Sequence, residues 1–172
     1  MFFQVGERVA YPAFGLGRIV VVVAKSFFEA ETQEFYEVAG EYSTVWVQVN
    51  EAATRGLRRL TRLEELPQYQ AVLAAAPAAV SADARQRQRD LAARLKRHTF
   101  QDLCEIVRDL GAHGQTAPLN AEDAAGLNKS RRWLCQEWAA AAGLSLEGAT
   151  AEVDRLLAAG RRPSSLAAAR PK

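Results

Sequence analysis

FQVGERVAYPAFGLGRIVVVVAK, residues 3–25, is written in the vocabulary of β-structure. β-Branched residues crowd its second half, and such side chains pack better on a pleated sheet than in a helix. Gly6 to Tyr11 reads as a short strand ended by Pro12, which cannot donate to a ladder. Phe14-Gly15-Leu16-Gly17 reads as a turn, because its glycines permit positive φ. Gly15-x-Gly17 lacks the third glycine and the following helix of a dinucleotide loop, so it is read as turn and not as phosphate cradle. Arg18 to Lys25 is then a second strand. Its apolar run, Ile19 to Ala24, falls far short of the ~20 residues of a membrane span.

The same vocabulary continues to about residue 60. Residues 27–32 connect to a hairpin of Glu34–Ala39 and Thr44–Val49, with Gly40 at the turn. Strand alternation puts Val45, Val47 and Val49 on one face and Trp46 and Gln48 on the other. Short antiparallel strands packed into so few residues bury a core by curling into a small barrel. Beyond residue 60, Ala, Leu, Arg and Glu dominate and the period becomes helical. Thr61 with Glu64 forms a capping box for a helix reaching about Ala75, where Pro77 stops it. Ser81 caps a second helix running to about Arg97. A third spans Phe100 to Leu110, ended by Gly111. Asn120 caps a fourth, whose inner stripe is Leu127, Leu134, Trp138 and Ala141 and whose end is Gly143. A fifth covers about Leu146 to Ala159, followed by a flexible basic tail at 161–172. The expected fold is therefore α+β: a β-barrel domain over 1–60, then an all-α, five-helix domain over 61–160.

Charge is distributed unevenly. The 172-residue chain carries 22 Lys/Arg and 20 Asp/Glu, a net of +2. Residues 1–66 hold seven Lys/Arg against nine Asp/Glu, whereas residues 84–97 hold six Lys/Arg against Asp90 alone. A near-neutral chain with one basic helix points to a local polyanion contact, not to a coat on nucleic acid. The candidates are Arg85, Arg87, Arg89, Arg94, Lys96 and Arg97, joined by Lys129, Arg131 and Arg132 on the fourth helix. At about 100° per residue, Arg85, Arg89 and Lys96 share one side and Arg87 and Arg94 the opposite one. The competing reading is a solvated charged face. Trp133, one turn after Lys129, either stacks on a base or sugar at the surface or packs between helices. The two histidines, His98 and His113, have no nucleophile or carboxylate cluster at motif spacing, so no catalysis, metal or cofactor is expected. Cys104 and Cys135 form no CxxC pair and read as reduced, partly buried thiols of a cytoplasmic protein.

Phe3-x-Val5-Gly6-Glu7-x-Val9-x-Tyr11-Pro12-x-x-Gly15-x-Gly17-x-Ile19, followed by Tyr36, Val45-x-Val47 and Gly56-Leu57-Arg58, resembles the CarD/CdnL family. The same module resembles the polymerase-interacting domain of the transcription-repair coupling factor. The five-helix layout is similar as well, so the resemblance covers about residues 1–160. It implies a Tudor-like barrel that binds the β subunit of RNA polymerase. It also implies a helical domain that contacts promoter DNA at the upstream edge of the bubble and stabilises the open complex. Lys25 and Trp46 fall where relatives place polymerase contacts, and Arg18 on the same strand is counted with them. Relatives often carry Arg at the position of Trp46, although an exposed Trp on a strand is a natural interface anchor. Arg85, Arg87, Arg89 and Lys129, with Arg131 nearby, match the family's DNA face.

One departure stands out. The family's wedge tryptophan, at the start of the basic helix, aligns with Ala84, and alanine cannot unstack a base step as an indole can. Three outcomes are open: the bubble is held by charge alone, another aromatic such as Trp133 substitutes, or the effect on initiation is weaker. The expected function is thus a monomeric transcription regulator with polymerase β and double-stranded promoter DNA as partners, and with no membrane or small-molecule substrate. The rivals are a nonspecific DNA-binding architectural protein and a protein-only adaptor.

Overall fold

A computed structural model describes residues 3–26 and 32–161. The N-terminal half is an antiparallel five-stranded sheet of β1 (Arg8–Tyr11), β2 (Gly15–Lys25), β3 (Gln33–Ala39), β4 (Thr44–Gln48) and β5 (Arg58–Arg59). Its order is β4-β3-β2-β1-β5, and among the described residues no ladder joins the two outer strands. The small β domain expected from the sequence is present, with its edges left open. β1 turns back through Phe14-Gly15 so that Tyr11 faces Gly15 and Arg8 faces Arg18. Gly15 takes φ +88°, which a side chain rarely adopts. Most of the 27–32 connection lies outside the described residues.

Alternation gives the sheet two faces with different duties. Val9, Ile19, Tyr36, Val38 and Val47 point inward, where Phe3, Ala52 and Leu57 close the core. The buried Tyr36 hydroxyl accepts a hydrogen bond from the Phe3 amide at 3.0 Å, so its polar end is satisfied. The other face carries Arg8 and Ala10 of β1, Arg58 of β5, and Val21, Val23, Phe35 and Trp46 further along. A bulge between Ile19 and Val21 resets the alternation of β2 so that both of its ends fit this pattern.

Five helices follow: α1 (Leu66–Ala74), α2 (Ala84–Arg97), α3 (Phe100–Thr116), α4 (Ala121–Ala142) and α5 (Leu146–Arg161). Their shared core includes Leu73, Leu103, Val107, Leu134, Trp138 and Val153. Each such side chain contributes about 1.5–3 kcal/mol by leaving water. Cys104 and Cys135 are free and buried in this core, which pushes both thiols up.

Several expected helix ends move. A 3₁₀ turn at Leu63–Glu65 precedes α1, and there Glu65 accepts from the Arg62 amide at 2.8 Å, in place of the expected box of Thr61 and Glu64. Thr61 is buried and engaged elsewhere. α2 is capped by Asp83, which accepts from the Arg85 amide, while Ser81 supports Asp83 from outside the helix. α3 does not stop at Gly111. It runs on to Thr116 with Gly111 in helical conformation, and Pro118 ends the segment. Asn120 caps α4 as expected, and Gly143 closes it with φ +67°. α5 reaches Arg161; the remainder of the tail, 162–172, lies outside the described residues.

α2 and α4 run side by side in the same direction. Arg87 meets Asp123, Leu91 meets Gly126 and His98 meets Trp133. A Cβ on Gly126 would sit 2.5 Å from Leu91 Cδ2, so glycine is what lets these helices close.

The two halves are joined by more than the chain. Glu137 of α4, 1% exposed, accepts a two-pronged ion pair from Arg58 at 2.7 and 2.8 Å. The same carboxylate accepts from the Thr61 amide and hydroxyl, each at 2.9 Å. Arg58 Nε also donates to the His98 carbonyl at 2.6 Å. The indole of Trp133 lies on Gly15, where a Cβ would stand 2.5 Å from Trp133 Cδ1.

Candidate nucleic-acid and protein interfaces

The fold sorts the basic residues that composition groups together. Arg85 and Lys96 are exposed, and neither has an ion-pair partner among the described residues; Arg89 hydrogen-bonds only to Gln86, its neighbour on the helix. These three form one row along α2, spanning eleven residues or roughly 16 Å. On the adjacent α4, Lys129 and Arg132 are exposed at helical spacing, with Lys129 Nζ 4.4 Å above the Trp133 ring. Five cations on two neighbouring helices form a surface able to meet a phosphate backbone.

Arg87 does not belong to that surface, which corrects the expectation drawn from its matching position. Its side chain is 9% exposed, and Nε donates to Asp123 Oδ2 at 2.6 Å. Nη1 donates to the Ser81 carbonyl at 2.8 Å, so the residue ties the α1–α2 connection, α2 and α4 together. Arg94, Arg97 and Arg131 hold partners within the chain. Arg94 leans toward Glu105 and Asp109 at 3.7 and 3.9 Å. Arg97 is paired with Asp102, whose carboxylate also accepts from Thr99. Arg131 meets Asp154 at 2.6 Å. Each is partly neutralised where it stands.

Trp133 is buried, edge-on to the His98 ring at 4.6 Å, so the packing alternative holds and a surface stacking role does not. It therefore does not replace an aromatic at the start of α2, where Ala84 is exposed. His98 occupies the left-handed C-cap of α2 at φ +50°, 1% exposed. Burial first, then the charges of Arg58 and Lys129, pull its pKa down to about 3, so the ring is neutral. Neither of its nitrogens has a hydrogen-bond partner among the described residues.

On the sheet's outer face, helix docking covers one end and leaves the other open. Ala10 is buried on the covered side. At the open end Trp46 is 41% exposed and Val21 37%, with Val23 and Phe35 half-buried beside them. Lys25 Nζ sits 3.2 Å from the Trp46 ring centroid, a cation–π contact. Arg18 lies on the same face nearer the helices and donates to the Gly6 carbonyl at 3.3 Å. Lys25, Trp46 and Arg18 thus share a face, with Lys25 and Trp46 touching and Arg18 apart.

Glu137, Arg58 and Gly15 were not among the expected functional positions. One signal was available: Glu137 falls on the same helical face as Leu134, Trp138 and Ala141, and a carboxylate on an apolar stripe requires a partner. Among the described residues no group of His, Cys, Asp or Glu is arranged to hold a metal, and no helix is long and apolar enough to cross a membrane.

Two comparisons bear on what this architecture is. The chain is 26% identical over 137 residues to the Bacillus subtilis (strain 168) protein named "Putative transcription factor YdeB", covering 78% of this chain and 89% of that one. Residues 68–154, from α1 into α5, match the family described as "CarD, C-terminal domain". With the family's helical domain occupying the second half of a sheet-plus-five-helix chain, the protein belongs to the CarD family and is a transcription regulator.

Proposed function

We propose that this protein regulates initiation by gripping the β subunit of RNA polymerase with the open end of its sheet and holding promoter DNA with the α2–α4 cation row, prolonging the open complex. The observation that carries this reading is the sorting of charge: Arg85, Arg89, Lys96, Lys129 and Arg132 have no ion-pair partner among the described residues, while Arg87, Arg94, Arg97 and Arg131 are paired within the fold. A merely solvated face would interleave both signs. Contacts of this type go to phosphates, so they supply affinity without choosing sequence. Trp46, flanked by apolar strand residues, has the character of a protein-interface anchor.

The test is the lifetime of the open complex on one promoter with purified polymerase. The protein is expected to lengthen it; Arg85→Gln/Arg89→Gln/Lys96→Gln abolishes that effect while polymerase pull-down persists. Lys25→Glu/Trp46→Ala abolishes both. A wild-type protein with no effect on lifetime overturns the proposal. Duplex binding and function unchanged by Lys25→Glu/Trp46→Ala would instead favour an architectural DNA-binding protein that needs no polymerase contact.

A further inference from the structure

A tether raises the local concentration of a weak binder only if its geometry permits simultaneous engagement. The two proposed surfaces lie on different halves of this molecule, so their mutual angle matters, and beside the Trp133–Gly15 contact the halves are joined by a polar cluster. The carboxylate of Glu137 receives both arms of Arg58, the Thr61 amide and the Thr61 hydroxyl. All of these donors come from Arg58 of β5 and from Thr61 just beyond it, whereas Glu137 comes from the C-terminal part of α4. Arg58 continues to the carbonyl of His98, the last residue of the α2 cap, so one guanidinium touches the sheet, α2 and α4 together. A fork meeting a carboxylate fixes direction as well as distance, unlike a point charge.

The helical core does not need this carboxylate: Leu134 and Trp138 on either side are fully buried among apolar neighbours. A buried charge adds no net stability over an apolar residue of similar size in many folds, and its attested use is to specify one arrangement among several. We infer that Glu137 is a positioning residue that sets the angle between the sheet and the α2–α4 cation row. This rests on the proposed function for its consequence in transcription, though not for its structural content.

The experiment uses the full chain with Ser43→Cys on the β3–β4 turn and Ala92→Cys on α2, both exposed, each carrying a spin label. Cys104 and Cys135 are buried and stay unlabelled in the folded protein. Double electron–electron resonance then reads the distance between the halves. The expected result is one narrow distribution, broadened by Glu137→Gln. Open-complex lifetime should lose its gain in Glu137→Gln, while polymerase pull-down and duplex affinity, measured separately, stay at the wild-type level. A distribution unchanged by Glu137→Gln overturns the inference, as does a broadened one with the full lifetime gain. If Glu137→Gln does not fold, Thr61→Val removes one donor and Arg58→Lys removes the fork but keeps the charge; broadening by Arg58→Lys beyond Thr61→Val is then expected, and broadening by neither overturns it. A wild-type protein without effect on the open complex sinks the proposed function alone, and the distance measurement still decides the role of Glu137.

Discussion

Arg87 and Arg89 stand two residues apart in the same basic helix, and exchanging either for alanine separates fold from surface. Arg87→Ala removes the partner of Asp123, a carboxylate with no exposure whose Oδ1 already lacks a bond among the described residues. Breaking a buried ion pair from one side costs about 3–5 kcal/mol, because the remaining charge stays buried. Asp123 lies in the first turn of α4 and keeps its favourable interaction with the helix N-terminus, which places the cost near the lower end, about 3 kcal/mol. For a chain of this size that is roughly a 6–12 °C fall in Tm. Arg89→Ala removes an exposed side chain bonded only to Gln86 and should change stability by about 0.5 kcal/mol or less. In DNA binding the order reverses: Arg89→Ala lowers the salt-dependence slope by about 1, and Arg87→Ala, measured well below its Tm, leaves it unchanged. Calorimetry and fluorescence anisotropy across a salt series measure the two effects. Arg87→Met/Asp123→Leu, which removes both charges, should recover much of the lost stability. An Arg87→Ala protein within 1 kcal/mol of wild type, or one whose slope falls as that of Arg89→Ala does, would refute the assignment of Arg87 to the fold.

Three further outcomes are expected. Gly15→Ala meets a positive φ and the Trp133 indole at once, a strain of about 1–2 kcal/mol plus an overpacking cost of about 1–3 kcal/mol, read as a lower urea midpoint; an unchanged midpoint would mean the sheet and α4 do not close as described. His98 has a folded pKa of about 3, below its ordinary 6.5, so the unfolded chain binds the extra proton: stability is flat above pH 6.5 and falls as pH drops from there toward 3, by about 2 kcal/mol at pH 5. The His98→Asn protein, whose side chain tolerates the left-handed cap, should lose that part of the slope in denaturation curves at pH 7.5 and 5, and an equal slope in both proteins would exclude His98 as its source. Ala84→Trp, at an exposed helix start, should lengthen the open complex without shifting Tm, and an unaltered lifetime would mean that this end of α2 does not reach the bubble edge.

The sheet was legible because β-branched and aromatic residues crowd its strands and residues 44–49 alternate cleanly: the valines of TVWVQV packed inward and Trp46 faced out, as period two requires. The helical stripe of α4 was equally readable. Helix ends were less so, since Thr61, Ser81 and Gly111 all have local chemistry that suits a boundary, yet none of them forms one. Thr61 caps nothing because Glu137 takes its amide and hydroxyl. Gly111 ends nothing because it takes no positive φ and α3 runs on through it to Thr116. The site was half legible for a related reason. Helical phase placed Arg85, Arg89 and Lys96 on one side, but only the fold reveals that a carboxylate thirty-six residues downstream, Asp123, removes Arg87 from the surface. Long-range pairing leaves no trace in local periodicity.

Counting free cations also explains why orientation would matter more here than affinity. Five phosphate contacts give a slope of about −4.5 in log K against log salt, which belongs to nonspecific binding at roughly 10⁻⁴–10⁻⁶ M under physiological salt. At that strength the α2–α4 row alone selects no promoter. Attached to polymerase through the sheet, it would meet DNA at an effective concentration in the millimolar range, about a hundredfold above a dissociation constant of 10⁻⁵ M. That factor is close to 3 kcal/mol of apparent binding free energy, gained without any new contact. It vanishes when the row points away from the duplex. A chain with weak, sequence-blind cations and no indole at Ala84 therefore has most to lose from a loose junction, and it is at the junction that this chain buries a carboxylate with four donors around it.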